Sequence, residues 1–202
     1  MSDLKKAKAL LRAELAAELK ARTKEDRVLC SRRACQRLEG TALWQQARCI
    51  LAYAPRADEL DISLLVEGAL LTGKQVALPQ FDAQTGSYRA CQISGPIASL
   101  APGRFGIPEP CKDSPGLMLN QLDLVLVPGV AFDLTGRRLG RGRGYYDQLL
   151  TNLRAIKCGL GFDQQVKAHI PVEPHDILLD CMLTPDRWLD FRPHRPGDDS
   201  VG

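Results

Sequence analysis

The chain has 202 residues, 45% of them hydrophobic and 25% charged, with a formal net charge of +3. That length suits one domain with a substantial core, and the composition is that of an ordinary globular protein. So slight a basic excess argues against a dedicated nucleic-acid binder, and no apolar run approaches the ~20 residues needed to span a membrane.

The amino terminus is a charged helical pattern without a secretory apolar segment, and Asp3 and Glu14 argue against a transit peptide. Seven cysteines are scattered with no C-x-x-C pair and read as reduced cytosolic thiols. His169, His175 and His194 lack the i,i+4 spacing of a zinc-binding helix.

Helical spacing predicts a first helix over 3–22. Leu4, Leu11, Leu15 and Leu19 mark its buried stripe, while Lys5, Lys8 and Arg12 share another face. Thr23 suits the N-cap of a second helix, with Asp26 three residues on and Gly40 as its stop. A helical turn around Trp44 precedes the run C-I-L-A-Y-A at 49–54, a first buried strand ended by Pro55. The loop P-R-A-D-E-L-D leads into a helix capped by Asp61 and closed by Gly73. Ligands of open α/β sheets gather at the carboxyl ends of strands, so this loop is well placed for a site.

Short strands are expected at 76–79 and, after a turn at 82–86, at 88–93, where alternation suggests an antiparallel or edge strand. Residues 95–115 are rich in Pro and Gly and read as an irregular loop. The apolar run 122–127 is the central strand, ended by Pro128-Gly129. A turn at 133–136 follows, then a glycine-rich stretch, then a helix beginning at 145. A strand at 156–162, a short helix or turn at 164–169 and a strand at 177–183 complete the pattern. One domain over 1–191 is expected, with 192–202 a disordered tail. Helices alternating with short buried strands imply an α/β fold, a single three-layer domain whose parallel or mixed sheet carries helices on both faces.

The glycine-rich stretch carries the chemistry. Gly140, Gly142 and Gly144 alternate with Arg141 and Arg143, and Arg138 lies just ahead. Alternating glycines admit positive φ and close approach of a ligand to the main chain, whose successive N–H groups form an anion-binding concavity. Arginines add permanent charge in a planar fork suited to phosphate oxygens. Strand, glycine loop and helix start describe a site for a polyanion such as ATP. The spacing is neither G-x-x-x-x-G-K-[ST] nor G-x-G-x-x-G, so this is not a Walker loop or a standard dinucleotide fingerprint.

The motif F-D-x-x-G-x-R-L-G-x-G-x-G-Y-Y-D after a strand ending in P-G resembles the 5-formyltetrahydrofolate cyclo-ligase family, also called 5,10-methenyltetrahydrofolate synthetases. The likeness runs from K-x-x-L-R at 8–12 to H-D-x-x-x-D at 175–180. It implies Rossmann-like topology and ATP-driven conversion of 5-formyltetrahydrofolate to 5,10-methenyltetrahydrofolate, with release of ADP and phosphate. The implied ATP contacts are Lys8, Ala9, Leu10, Leu11 and Arg12, then Arg138, Leu139, Gly140, Arg141, Gly142, Arg143, Gly144, Tyr145 and Tyr146. The implied folate contacts are Ala54, Glu59 and Tyr145, and F-G-I-P-E-P at 105–110 resembles a segment near the folate. The implied magnesium ligands are Asp147 and Asp176.

Arg141 and Arg143 suit a catalytic role, as cations neutralising charge during phosphoryl transfer. Family members can carry glycine or lysine at the position of Arg143. A cytoplasmic monomer is expected, with ATP and a folate as its partners and no nucleic acid or membrane among them. Two alternatives remain: an RNA-binding module using the basic, aromatic R-G-R-G-Y-Y strip, or a nucleotide-binding regulator without catalysis.

Overall fold

The structure, a computed structural model, describes residues 3–142, 144–151, 153–173 and 176–192, with Tyr145 described by its backbone alone. The helices are α1 (Asp3–Lys20), α2 (Lys24–Glu39), α3 (Ala42–Gln46), α4 (Ser63–Leu71) and α5 (Tyr145–Leu150). The Thr23 hydroxyl accepts a hydrogen bond from Asp26 N at 3.1 Å, which opens α2, and Gly40 N donates to Gln36 O to close it. Asp61 supports α4 from one position further out than expected, its carboxylate accepting from Ser63 N at 2.9 Å, and Ile62 occupies the cap position.

The strands are β1 (Cys49–Leu51), β2 (Gln75–Asp82), β3 (Ser87–Ile93), β4 (Leu124–Pro128), β5 (Ala131–Asp133), β6 (Arg138–Leu139), β7 (Ile156–Leu160), β8 (Val166–Lys167), β9 (Cys181–Leu183) and β10 (Trp188–Asp190). Seven of them form one mixed sheet in the order β10-β9-β7-β4-β1-β2-β3. The five inner strands are parallel, and β3 and β10 close its two edges antiparallel. A second sheet of three short strands, β6-β5-β8, lies beyond the end of β4.

Every residue of β4 is buried, as its unbroken apolar run requires in a sheet covered on both faces. Leu124 and Leu126 pack with Leu38 of α2, Trp44 of α3 and Leu65 of α4. Val125 and Val127 turn the other way, onto Phe132 and onto Leu149 and Leu150 of α5. A third cluster joins Leu15 of α1 to Val130, Leu139 and Ile170, and so seats α1 against the small sheet.

β1 pairs with neighbours only over Cys49–Leu51, and residues 52–54 stay buried while leaving the ladder. β2 runs past the expected 79 because its outer half pairs with β3 alone. Pro79 therefore owes no hydrogen bond to β1. The last inner strand shrinks from 177–183 to Cys181–Leu183.

The chain leaves β1 toward β2 and β3, then returns to place β4 on the other side of β1. The connections beyond β1 and β4 thus diverge at their carboxyl ends, the position where open α/β sheets bind ligands.

Candidate active site

A cavity of about 970 Å³ opens at this switch point. Tyr53, Ala54 and Glu59 enter it beyond β1, and Pro128 and Gly129 at the end of β4. The stretch Arg138 to Gly142, Gly144, Tyr146 and Asp147 forms a second wall, and Lys5, Lys8, Ala9 and Arg12 of α1 a third. Glu173 and Asp176 lie beside α1, while Tyr88, Phe105, Ile107, Pro108 and Glu109 line the remaining side.

The glycine loop leaves β6 and bends back toward α5. Gly142 (φ +88°) and Gly144 (φ +67°) both require the left-handed region that glycine tolerates. A Cβ on Gly142 would also stand 3.3 Å from the guanidinium of Arg12. Arg12 Nε donates to Gly140 O at 2.9 Å, which fastens α1 to the loop.

Arg138 is the most enclosed cation here, its side chain 3% exposed. One Nη2 donates to Asp147 Oδ1 at 2.6 Å, the guanidinium carbon lies 5.6 Å from the Tyr146 ring centroid, and Nε meets no partner among the described residues. Arg141 reaches the other way, donating to Asp58 Oδ1 at 2.7 Å and to Glu59 Oε1 at 3.1 Å. Glu59 Oε2 accepts from Arg56 N at 3.0 Å. Burial pushes the Glu59 carboxyl up from its ordinary range, and the charge of Arg141 offsets this only in part. Burial likewise raises the Tyr146 phenol.

Lys8 corrects the expectation for α1. It belongs to the buried stripe, one turn beyond Leu4, and its ammonium bonds Glu173 Oε2 at 2.8 Å and Asp176 Oδ2 at 3.1 Å. Burial alone would lower its pKa; the two carboxylates outweigh that and raise it.

Most of the residues singled out from sequence meet in this one cavity, including Ala54, Glu59, Asp147 and Asp176. Leu10 does not, being 72% exposed, and Leu11 packs into the α1 core cluster instead. Arg143, the side chain of Tyr145 and His175 lie outside the described residues. Sequence reading missed Tyr53, Arg56, Tyr88 and Glu173. Glu173 had a usable signal, since it stands three residues ahead of Asp176. Among the described residues no three or more His, Cys, Asp or Glu side chains form a ready metal cage.

The model of the 5-formyltetrahydrofolate cyclo-ligase family matches residues 4–185. A 5-formyltetrahydrofolate cyclo-ligase of Mus musculus is 30% identical over 89% of this chain and 94% of its own. One from Escherichia coli is 33% identical over 70% of this chain and 80% of its own. The solved structure of Aquifex aeolicus 5,10-methenyltetrahydrofolate synthetase superposes with a TM-score of 0.84 at 30% identity, covering 93% of this chain and 94% of that one.

Proposed function

Since the chain belongs to the 5-formyltetrahydrofolate cyclo-ligase family, we propose that it uses ATP to close 5-formyltetrahydrofolate to 5,10-methenyltetrahydrofolate, releasing ADP and phosphate. The observation that carries this reading is the meeting of Arg141, from the glycine loop, with Glu59, from the loop beyond β1. Residues suited to phosphate and residues suited to a folate face one cavity, whose volume of about 970 Å³ is at the upper end for small-molecule sites, as two substrates require.

The formyl oxygen must leave as N10 of the folate attacks the formyl carbon, and oxide is a poor leaving group. Transfer of the ATP γ-phosphoryl group to that oxygen makes it a good one, lost as phosphate when the ring closes. Such a transfer needs positioning and charge neutralisation more than covalent chemistry. Gly140, Gly142 and Gly144 line the cavity and would offer their backbone N–H groups to the phosphates, with Arg138, Arg141 and Arg12 lining it too. Arg143 joins them in sequence, and we assign it the transition-state charge together with Arg141. Glu59 would orient the folate beside Ala54.

Magnesium fits the acids present. Asp147 and Asp176 line the same cavity and offer hard oxygens, and magnesium takes a few carboxylates plus phosphate oxygens and water. When bound it would neutralise phosphate charge. Each acid is now held by a cation, Asp147 by Arg138 and Asp176 by Lys8, which favours the metal arriving with ATP. No helix among the described residues is long and apolar enough to cross a membrane, and all seven cysteines are free thiols. We take the enzyme to be a cytoplasmic monomer.

The test is an assay for methenyl product. It should form only with ATP, magnesium and 5-formyltetrahydrofolate together; an unchanged rate without nucleotide overturns the reading. RNA binding with a steep salt slope and no turnover would favour the basic-strip alternative.

A further inference from the structure

One oxygen of Glu59 is fully taken up by the protein itself. Its Oε1 accepts both Nη2 and Nε of Arg141, at 3.1 and 3.3 Å, and its Oε2 accepts Arg56 N. A carboxylate oxygen offers two lone pairs, so Oε1 is filled by Arg141. The Nη2 group of Arg141 is committed in turn, because it also bonds Asp58 Oδ1 at 2.7 Å. Asp58 plays no part in the reaction described above. It sits on the same short loop, with Arg56 Nε 3.7 Å from the same Oδ1. The loop beyond β1 and the glycine loop, which both line the cavity, are thereby tied to each other.

We propose that Asp58 is a positioning residue that holds Arg141 on Glu59 in the substrate-free enzyme, so that the bridge must open before a folate can take Glu59 Oε1 or a phosphate can take Nε and Nη2 of Arg141. The proposal rests on the reading that Arg141 turns to ATP and Glu59 to the folate. A folate taking Glu59 Oε1 releases Arg141, and a phosphate taking Arg141 releases Glu59. Whichever substrate binds first bears the cost of opening, and the second does not. Binding of each therefore strengthens binding of the other by the same factor.

Asp58 strengthens only the closed bridge. Removing its charge should tighten nucleotide binding to the free enzyme and lessen the gain conferred by folate. A merely structural aspartate would weaken both measurements together.

The experiment titrates the full chain with magnesium and a non-hydrolysable β,γ-imido ATP, with and without saturating 5-formyltetrahydrofolate, by calorimetry. The parent should bind the nucleotide about five-fold or more tighter when folate is present. Asp58→Asn should bring that ratio toward one while the folate-free affinity holds or improves, and Asp58→Glu, which keeps the charge, should retain the ratio. A ratio of one in the parent, or a ratio unchanged in Asp58→Asn, overturns the proposal. Methenyl product is measured on the same parent sample. Product with a ratio of one refutes the bridge and leaves the activity standing; absence of product refutes the activity itself.

Discussion

The ammonium of Lys8 stands 3.1 Å from Asp176 Oδ2, joining the first helix to the segment before β9 across 168 positions of sequence. The same ammonium bonds Glu173, and Asp176 Oδ2 also accepts Glu173 N at 2.7 Å. One lysine thus pins a stretch that the sheet does not hold. Lys8→Met should destabilise the protein by about 1–3 kcal/mol, below the ~3–5 kcal/mol of a fully buried pair, because Glu173 is 35% exposed and water screens it. The folded pKa of Lys8 is raised above 10.5, so this stabilisation is present below that pH and is lost as pH rises through the folded value. Urea unfolding should show an alkaline loss in the parent that Lys8→Met lacks. Arg12→Ala should instead weaken ATP binding with a smaller stability cost, since Arg12 is half-buried and bonds the backbone of Gly140.

This pair also marks where sequence reading stops. The parallel layers were legible because β4 and the stretch C-I-L-A-Y-A that begins with β1 are apolar runs, and Thr23, Asp26 and Gly40 carry local capping chemistry. Lys8 stood in the buried stripe of α1 and was assigned to another face because its charge hides the periodicity of Leu4, Leu11 and Leu15. The hairpin of β5 and β6, the strand β8 and the edge strand β10 have two or three residues each, too few for alternation to register. The candidate site was legible where a motif is contiguous, as at 138–147. The bridges from Arg141 to Asp58 and from Lys8 to Glu173 were not, because each depends on which loops the sheet order brings together.

Glu59 should trade stability for function. Its carboxyl is 8% exposed and its pKa lies above 4.5 in the folded state, so folding favours the protonated form. Stability contributed by this group is therefore greatest below pH 4.5 and falls as pH rises through the folded pKa. Glu59→Gln imitates the protonated form at every pH. Its urea midpoint should exceed that of the parent at neutral pH, and the difference should shrink toward zero in acid. The same variant should raise the KM for 5-formyltetrahydrofolate. A midpoint lower than the parent at neutral pH would show that Arg141 more than offsets the burial.

Gly142 tests whether loop shape serves the nucleotide. At φ +88° an alanine costs about 1–2 kcal/mol of backbone strain, and its Cβ would stand 3.3 Å from the Arg12 guanidinium. Gly142→Ala should weaken ATP binding by tenfold or more, which is about 1.4 kcal/mol, while folate affinity measured without nucleotide stays near the parent value. Equal losses for both ligands would place Gly142 in the general architecture instead.

Asp147 carries two competing assignments. It accepts Arg138 Nη2 at 2.6 Å, and Arg138 is 3% exposed, so the pair has a structural role whatever else it does. Asp147→Asn keeps the shape, removes the charge and should cost about 1–3 kcal/mol, discounted from a fully buried pair because Asp147 itself is 31% exposed. If Asp147 also holds magnesium with Asp176, three further effects follow. The magnesium concentration for half-maximal turnover should rise sharply in Asp147→Asn and in Asp176→Asn, and excess metal should restore part of the activity. Magnesium alone should leave the melting temperature of the parent nearly unchanged, since Arg138 and Lys8 already occupy the two acids, whereas magnesium with the imido analogue of ATP should raise it. In either variant that rise should be smaller at equal metal concentration. Magnesium titrations of both variants that superimpose on the parent after normalisation, together with an undiminished melting shift, would leave Asp147 as the partner of Arg138 and nothing more.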